Sequence, residues 1–147
     1  MILHRPGAPG LRLGLGPGLE PCDSMVQLQH LFDHETFWAR GRSLKELRRM
    51  LRGSEAAVTA WRGRQLVGFG RATSDGVCRA VLWDVVVSEE CKLQGLGRQL
   101  VARLLEAPLV VGAERVYLMT TNSKGFYTRL GFQESGSQHL MLRRGSG

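Results

Sequence analysis

The chain has 147 residues, 20 lysines and arginines against 13 acids, and a net charge of +7. That length gives one domain able to bury its own core, and no apolar run approaches the ~20 residues of a membrane span. Three cysteines without CxxC spacing and four histidines without HExxH spacing argue against a disulfide framework and a metal site, and the excess positive charge favours an anionic ligand.

Met1 to Gly10 reads as a loose, flexible N-terminus. It lacks the apolar h-region and cleavage site of a secretory signal, and it lacks the serines and amphipathic arginines of a transit peptide. A single domain is expected over 11–147. Leu11, Leu13 and Leu15 alternate, which predicts a short first strand. Pro21, Asp23 and Ser24 then signal a helix start, and Met25, Leu28, Leu31 and Phe32 recur at helical spacing. Ser43 with Glu46 three residues on forms a capping-box signature. The helix that follows turns Leu44, Leu47 and Leu51 inward and Lys45, Arg48, Arg49 and Arg52 outward. That basic face is read as solvated rather than as a nucleic-acid surface.

Three strands follow, Ala56 to Trp61, Gln65 to Ala72 and Cys78 to Val87, joined by short turns as an antiparallel meander. Asp84 interrupts the third strand, "CRAVLWDVVV". A carboxylate inside a strand costs free energy unless it is paired or wet. Strict alternation places Asp84 on one face with Leu82 and Val86, opposite Trp83 and Val85. Cys78 is expected to be a buried small hydrophobe and Cys91 to be exposed beside the next loop. All three thiols are expected to be reduced, as in a cytoplasmic protein.

Next comes "KLQGLGR", Lys92 to Arg98, between a β-branched strand and an amphipathic helix carrying Leu96, Leu100, Val101, Leu104 and Leu105. A helix N-terminus holds unpaired amides and a partial positive charge. Glycines at 95 and 97 let an anion approach those amides, and Lys92 and Arg98 add full charges. A diphosphate site is one reading and a plain turn is the other. "ERVYLMT" then predicts a strand parallel to the third, "SKGFYTRLGF" a short helix, and Gln138 to Arg143 a final strand.

Lys92-Leu93-Gln94-Gly95-Leu96-Gly97 resembles the [Q/R]-x-x-G-x-[G/A] loop of the GCN5-related N-acetyltransferases (GNAT). "NSKGFYTRLGF", Asn122 to Phe132, is similar to that family's second signature. "LWDVVV", "GLGRQLV" and "GFYTRLGF" look most like its cyanobacterial and plastid members, which include serotonin (arylalkylamine) N-acetyltransferases. Lys92 departs from the usual arginine or glutamine, and the spacing from Asn122 to Tyr127 is short for the family.

The resemblance implies an α/β (α+β) GNAT acyl-CoA N-acyltransferase fold. Its central sheet would be mixed but mostly antiparallel, with six to seven strands and about four flanking helices. It also implies acetyl-CoA as cosubstrate, no metal, and a primary amine as acceptor. That amine would be an arylalkylamine such as serotonin, or alternatively a protein lysine or N-terminus. A non-catalytic CoA- or nucleic-acid-binding module is the alternative from another class. The implied cofactor contacts are the backbone of Val85, Val86 and Val87, the loop Lys92, Leu93, Gln94, Gly95, Leu96, Gly97 and Arg98, and Asn122 and Tyr127. Tyr127 is the implied acid for the departing thiolate. Asp84 can hold the amine or take its proton through water, or serve as a structural carboxylate hydrogen-bonded to a nearby loop. Phe37 and Trp38 can stack an aromatic acceptor, Asp33 or Glu35 can draw a cation, and His34 can act as base. No membrane partner is expected, and the chain is expected to be a monomer or homodimer.

Overall fold

A computed structural model describes residues 1–5 and 10–145. The elements run β1 (Ile2–His4), α1 (Ser24–Glu35), α2 (Leu44–Arg52), β2 (Ala56–Arg62), β3 (Gln65–Ser74), β4 (Arg79–Val87), α3 (Leu96–Leu105), α4 (Pro108–Val111), β5 (Arg115–Leu118) and α5 (Lys124–Arg129). The five strands form one sheet in the order β1-β2-β3-β4-β5. Every neighbouring pair is antiparallel except β4 and β5, which the α3 crossover makes parallel.

The sheet is covered on both faces. Leu28, Leu31 and Phe32 of α1 and Leu47 of α2 pack on Ala57, Phe69 and Val86. Leu100, Val101 and Leu104 of α3 pack on Val58, Ala72, Ala80 and Leu82. Each fully buried leucine of this kind contributes about 1.5–3 kcal/mol of transfer free energy. The capping box of α2 is formed: Ser43 Oγ accepts from the Glu46 amide at 3.1 Å, and Glu46 Oε1 accepts from the Ser43 amide at 3.1 Å.

Glycines in β3 let α3 lie close to the sheet. A Cβ at Gly70 would stand 3.0 Å from Leu104 Cδ1, and one at Gly68 would stand 3.1 Å from Leu100 Cδ1.

Several expectations are corrected. The first strand is Ile2–His4, inside the stretch read as loose, and it pairs with β2 from Thr59 to Ala57. Residues 6–9 of that stretch lie outside the described residues. Leu11–Leu13 instead forms a 3-10 turn that drops Leu11 into the core. Among the described residues 138–143 form no strand, so the sheet has five strands rather than six or seven. The outer edge of β5 therefore carries no strand partner among them. The cysteines are reversed: Cys78 is exposed and Cys91 is buried. Among the described residues no helix is long and apolar enough to cross a membrane.

The alternation assumed for β4 also fails. Phe69 pairs with Val86 and Arg71 pairs with Trp83, so Asp84 and Val85 together face Gly70. This is a β-bulge, and Asp84 sits in it at φ 53. Beyond the bulge the faces reset. Leu82 and Val85 pack with the α3 side, while Val86 packs with the α1 side. Asp84 points to the α1 side, where it meets Arg42 and Arg71.

Candidate functional site

β4 and β5 run together only from Arg79–Arg115 to Leu82–Leu118. After Leu82, β4 stays on β3 and β5 leaves it, opening a slot of about 350 Å³. Its walls include Trp38, Trp83, Asp84, Val85, Asn122 and Tyr127, with Phe37, Met119 and Leu140 around them. Among the described residues the edge of β4 from Trp83 to Val87 has no strand partner on this side. Its backbone is therefore available to an extended ligand, as an added strand would be. Val85 borders the slot, whereas the Val86 side chain is buried among core residues on the other face.

The loop after β4 begins with the 3-10 turn Glu89–Cys91. Leu93 then takes φ 67 and Gly95 φ 76, turning the chain into α3. No side chain caps α3. Among the described residues the amides from Leu93 to Arg98 have no hydrogen-bond acceptor. A Cβ at Gly95 would meet nothing within 4 Å, so the space over those amides is open. Gly97 serves differently. A Cβ there would lie 3.3 Å from the Phe126 ring, so its smallness lets α5 close on the start of α3.

The two loop cations are not equivalent. Lys92 Nζ is held by Glu89 at 2.7 Å and Glu35 at 3.9 Å. Arg98 is exposed and, among the described residues, has no acidic partner. A diphosphate fits this cradle of open amides with a free guanidinium beside it.

Tyr127 lies in α5, fixed by its own amide bonding to the Ser123 carbonyl and by edge contacts with the rings of Phe126 and Phe132. Burial pushes its phenol above the ordinary tyrosine range. It therefore holds its proton at neutral and moderately alkaline pH. Asn122 is exposed in the loop between β5 and α5 and borders the same slot.

Asp84 is almost closed off from solvent, with its side chain 5% exposed. Oδ1 accepts from Trp38 Nε1 at 3.0 Å. Oδ2 accepts from Arg71 Nε at 2.8 Å and Arg42 Nη1 at 3.3 Å. Arg71 stacks on Trp83 and Arg42 on Phe32. Trp83 Nε1 in turn donates to Thr73 Oγ1 at 2.8 Å.

Residues from three separate parts of the sequence thus meet at one slot: Trp38, the bulge of β4, and the stretch carrying Asn122 and Tyr127. Asp33 and His34 do not join them. Asp33 accepts from the Gly41 amide, and the His34 ring stacks on His30 along the exposed flank of α1. Arg42, Arg71 and Trp83 were not foreseen. The signal for Arg71 was an arginine directly after the apolar run of residues 66–70 in β3, in a hairpin whose other strand carries a lone aspartate.

A model of the acetyltransferase (GNAT) family matches residues 25–132. GCN5-related N-acetyltransferase 1, chloroplastic, of Arabidopsis thaliana is 43% identical over 70 residues, 47% of this chain and 36% of the relative. Serotonin N-acetyltransferase 2, chloroplastic, of Oryza sativa subsp. japonica is 39% identical over 97 residues, 62% of this chain and 48% of the relative. The chain thus spans less than half the length of these curated relatives. Among solved structures, a putative GNAT-family acetyltransferase of Xanthomonas campestris pv. campestris superposes with a TM-score of 0.71 at 28% identity. It covers 81% of this chain and 83% of its own.

Proposed function

The chain belongs to the GNAT acetyltransferase family, and on that premise we propose that it moves an acetyl group from acetyl-CoA to the primary amine of an arylalkylamine. One observation carries this reading. The slot where β4 and β5 part is lined by Trp38, Trp83 and Tyr127, and β4 runs from it into the loop that carries the open amides at the start of α3.

Acetyl-CoA supplies an acetyl group activated as a thioester. The Leu93 to Arg98 amides and the Arg98 guanidinium would hold its diphosphate. The free edge of β4 at Val85 to Val87 would align the pantetheine chain and offer an amide to the developing oxyanion. Lys92 would add attraction at longer range, because its ammonium is already shared by two carboxylates. The Tyr127 hydroxyl would donate its proton to sulfur as the C–S bond breaks, and the attacking nitrogen would lose one proton to water. A phenol raised by burial suits that task, because it stays protonated over the working pH range.

The aromatic wall favours a flat acceptor. One relative carries serotonin N-acetyltransferase in its name, which agrees with that wall. A second reading takes a protein lysine as acceptor, and a Glycine max relative named Histone acetyltransferase TAP1 favours it. For the compartment, the names of two relatives add the chloroplast to the cytoplasm that the free thiols suggest.

CoA release measured against tryptamine, serotonin, spermidine, an aminoglycoside and a lysine peptide tests the assignment. Tryptamine and serotonin are expected to lead. Turnover of the lysine peptide alone would replace this reading with the second. Release with no acceptor at all would leave only the fold.

A further inference from the structure

We propose that Asp84 is a positioning residue: its carboxylate does not touch the acceptor amine but fixes the Trp38 and Trp83 rings as the wall that selects a flat acceptor. The inference rests on the acceptor reading above.

The geometry leaves the carboxylate no free oxygen. Oδ1 is occupied by Trp38 Nε1 and Oδ2 by both arginines, behind a side chain 5% exposed. An incoming ammonium would have to displace a guanidinium to reach it. What the carboxylate does hold is the wall. Trp38 is 48% exposed, follows the end of α1, and is held by this hydrogen bond and by an edge contact with Phe37. Trp83 is reached through Arg71, which is bonded to Asp84 and stacked on the Trp83 ring. The bulge makes both links possible. At φ 53 Asp84 turns to the same side as Arg71 and Trp38, where regular alternation would have sent it away.

The charges carry a second consequence. One carboxylate and two guanidinium groups leave the cluster one positive charge in excess. Behind the slot, that excess disfavours the ammonium form of any amine, tryptamine and ethylamine alike, and repels polycations most. The free amine is the nucleophile, so the same charges help to present it.

Two variants test this. Trp38→Phe keeps a ring and removes the donor at an exposed site, so it leaves the fold intact. Asp84→Asn keeps an acceptor and a residue type that tolerates the left-handed region. Each is expected to raise KM for tryptamine about tenfold, the upper range of an oriented aromatic contact. With Trp38→Phe, KM for ethylamine should move less than about twofold; with Asp84→Asn the added positive charge acts on both amines, so the ratio of the tryptamine and ethylamine KM values reports the wall. The double variant should do no more than the larger single effect.

Fluorotryptophan NMR supplies a readout independent of turnover. Asp84→Asn should shift the Trp38 and Trp83 resonances and leave that of Trp61 in place, and tryptamine should shift Trp38 in the wild type. Additive variants, an unmoved Trp38 resonance, or an Asp84→Asn enzyme with kcat down a thousandfold at unchanged KM would each overturn the proposal. If the wild type acetylates no amine, the acceptor reading fails, and the tryptamine titration still decides whether this wall binds a ring.

Discussion

Glu35, the last residue of α1, faces Lys92 of the glycine loop across 3.9 Å. The contact ties the segment that carries Phe37 and Trp38 to the proposed cofactor cradle. Glu89 holds the same ammonium more closely, at 2.7 Å. Half-exposed pairs of this kind are worth about 0–1 kcal/mol each. Lys92→Ala should therefore weaken CoA binding only a few-fold. Arg98→Ala should weaken it about tenfold, because a charge-assisted bond of about 1.5 kcal/mol is lost. Calorimetric titration with CoA at low and high salt separates the two. The Arg98 effect should shrink as salt rises.

Gly95 and Gly97 should fail in different ways. Gly95→Val places a β-branched residue at φ 76, costing about 1–2 kcal/mol, and puts side-chain atoms where the diphosphate would rest. A melting temperature lowered by a few degrees with CoA binding lost is the expected pattern. Gly97→Leu should instead collide with Phe126, so stability falls first. Paired melts and titrations read both, and identical patterns would contradict the division of labour.

Tyr127→Phe removes one proton and little volume. We expect kcat to fall about 10²- to 10⁴-fold, the range for a lost general acid, with CoA affinity unchanged. Because burial raises the folded phenol, the wild-type rate should persist on the alkaline side up to and beyond the ordinary tyrosine value of about 10. The same shift adds stability that is full below about 10 and is lost as pH climbs through the folded value. A pH–rate profile and alkaline melts of both proteins check the two halves.

His4 should make β1 sensitive to acid. Its Nε2 lies 2.8 Å from Thr59 Oγ1, and burial lowers its pKa below the ordinary value. The neutral ring is therefore favoured in the fold. The stability it gives is present above about 6.5 and is lost as pH falls through the lower folded value. Protection factors of the amides in β1 and in β2 around Thr59, corrected for intrinsic exchange, should fall as pH drops below about 6.5. His4→Gln should flatten that response.

Much of this architecture was legible because it is written in short-range patterns. The capping box at Ser43 and Glu46, the hairpin turns, and the leucine stripe of α3 each specify their own geometry. Gly95 and Tyr127 stood out because the residues around them form extended motifs. Asp84 was noticed as a charge within a strand, but its direction was misread. Alternation assumes an unbroken ladder, and a non-glycine residue in the left-handed region announces itself in no local pattern. Residues 138–143 illustrate another limit. They alternate well enough for a strand, yet a strand also needs an edge to pair with, which its own side chains do not encode. Ile2–His4 is the converse: three residues that would never stand alone become a strand because β2 offers them an edge.

The outer side of β5 is a row of backbone donors and acceptors with no neighbour strand among the described residues. Such a row invites other chains to stack on it. Two features blunt the hazard here, the four-residue length of β5 and the exposed arginine at its start. A single Arg115→Val exchange would remove the second. It should make the protein cloud at a lower concentration than the unaltered chain, with little change in its melting temperature.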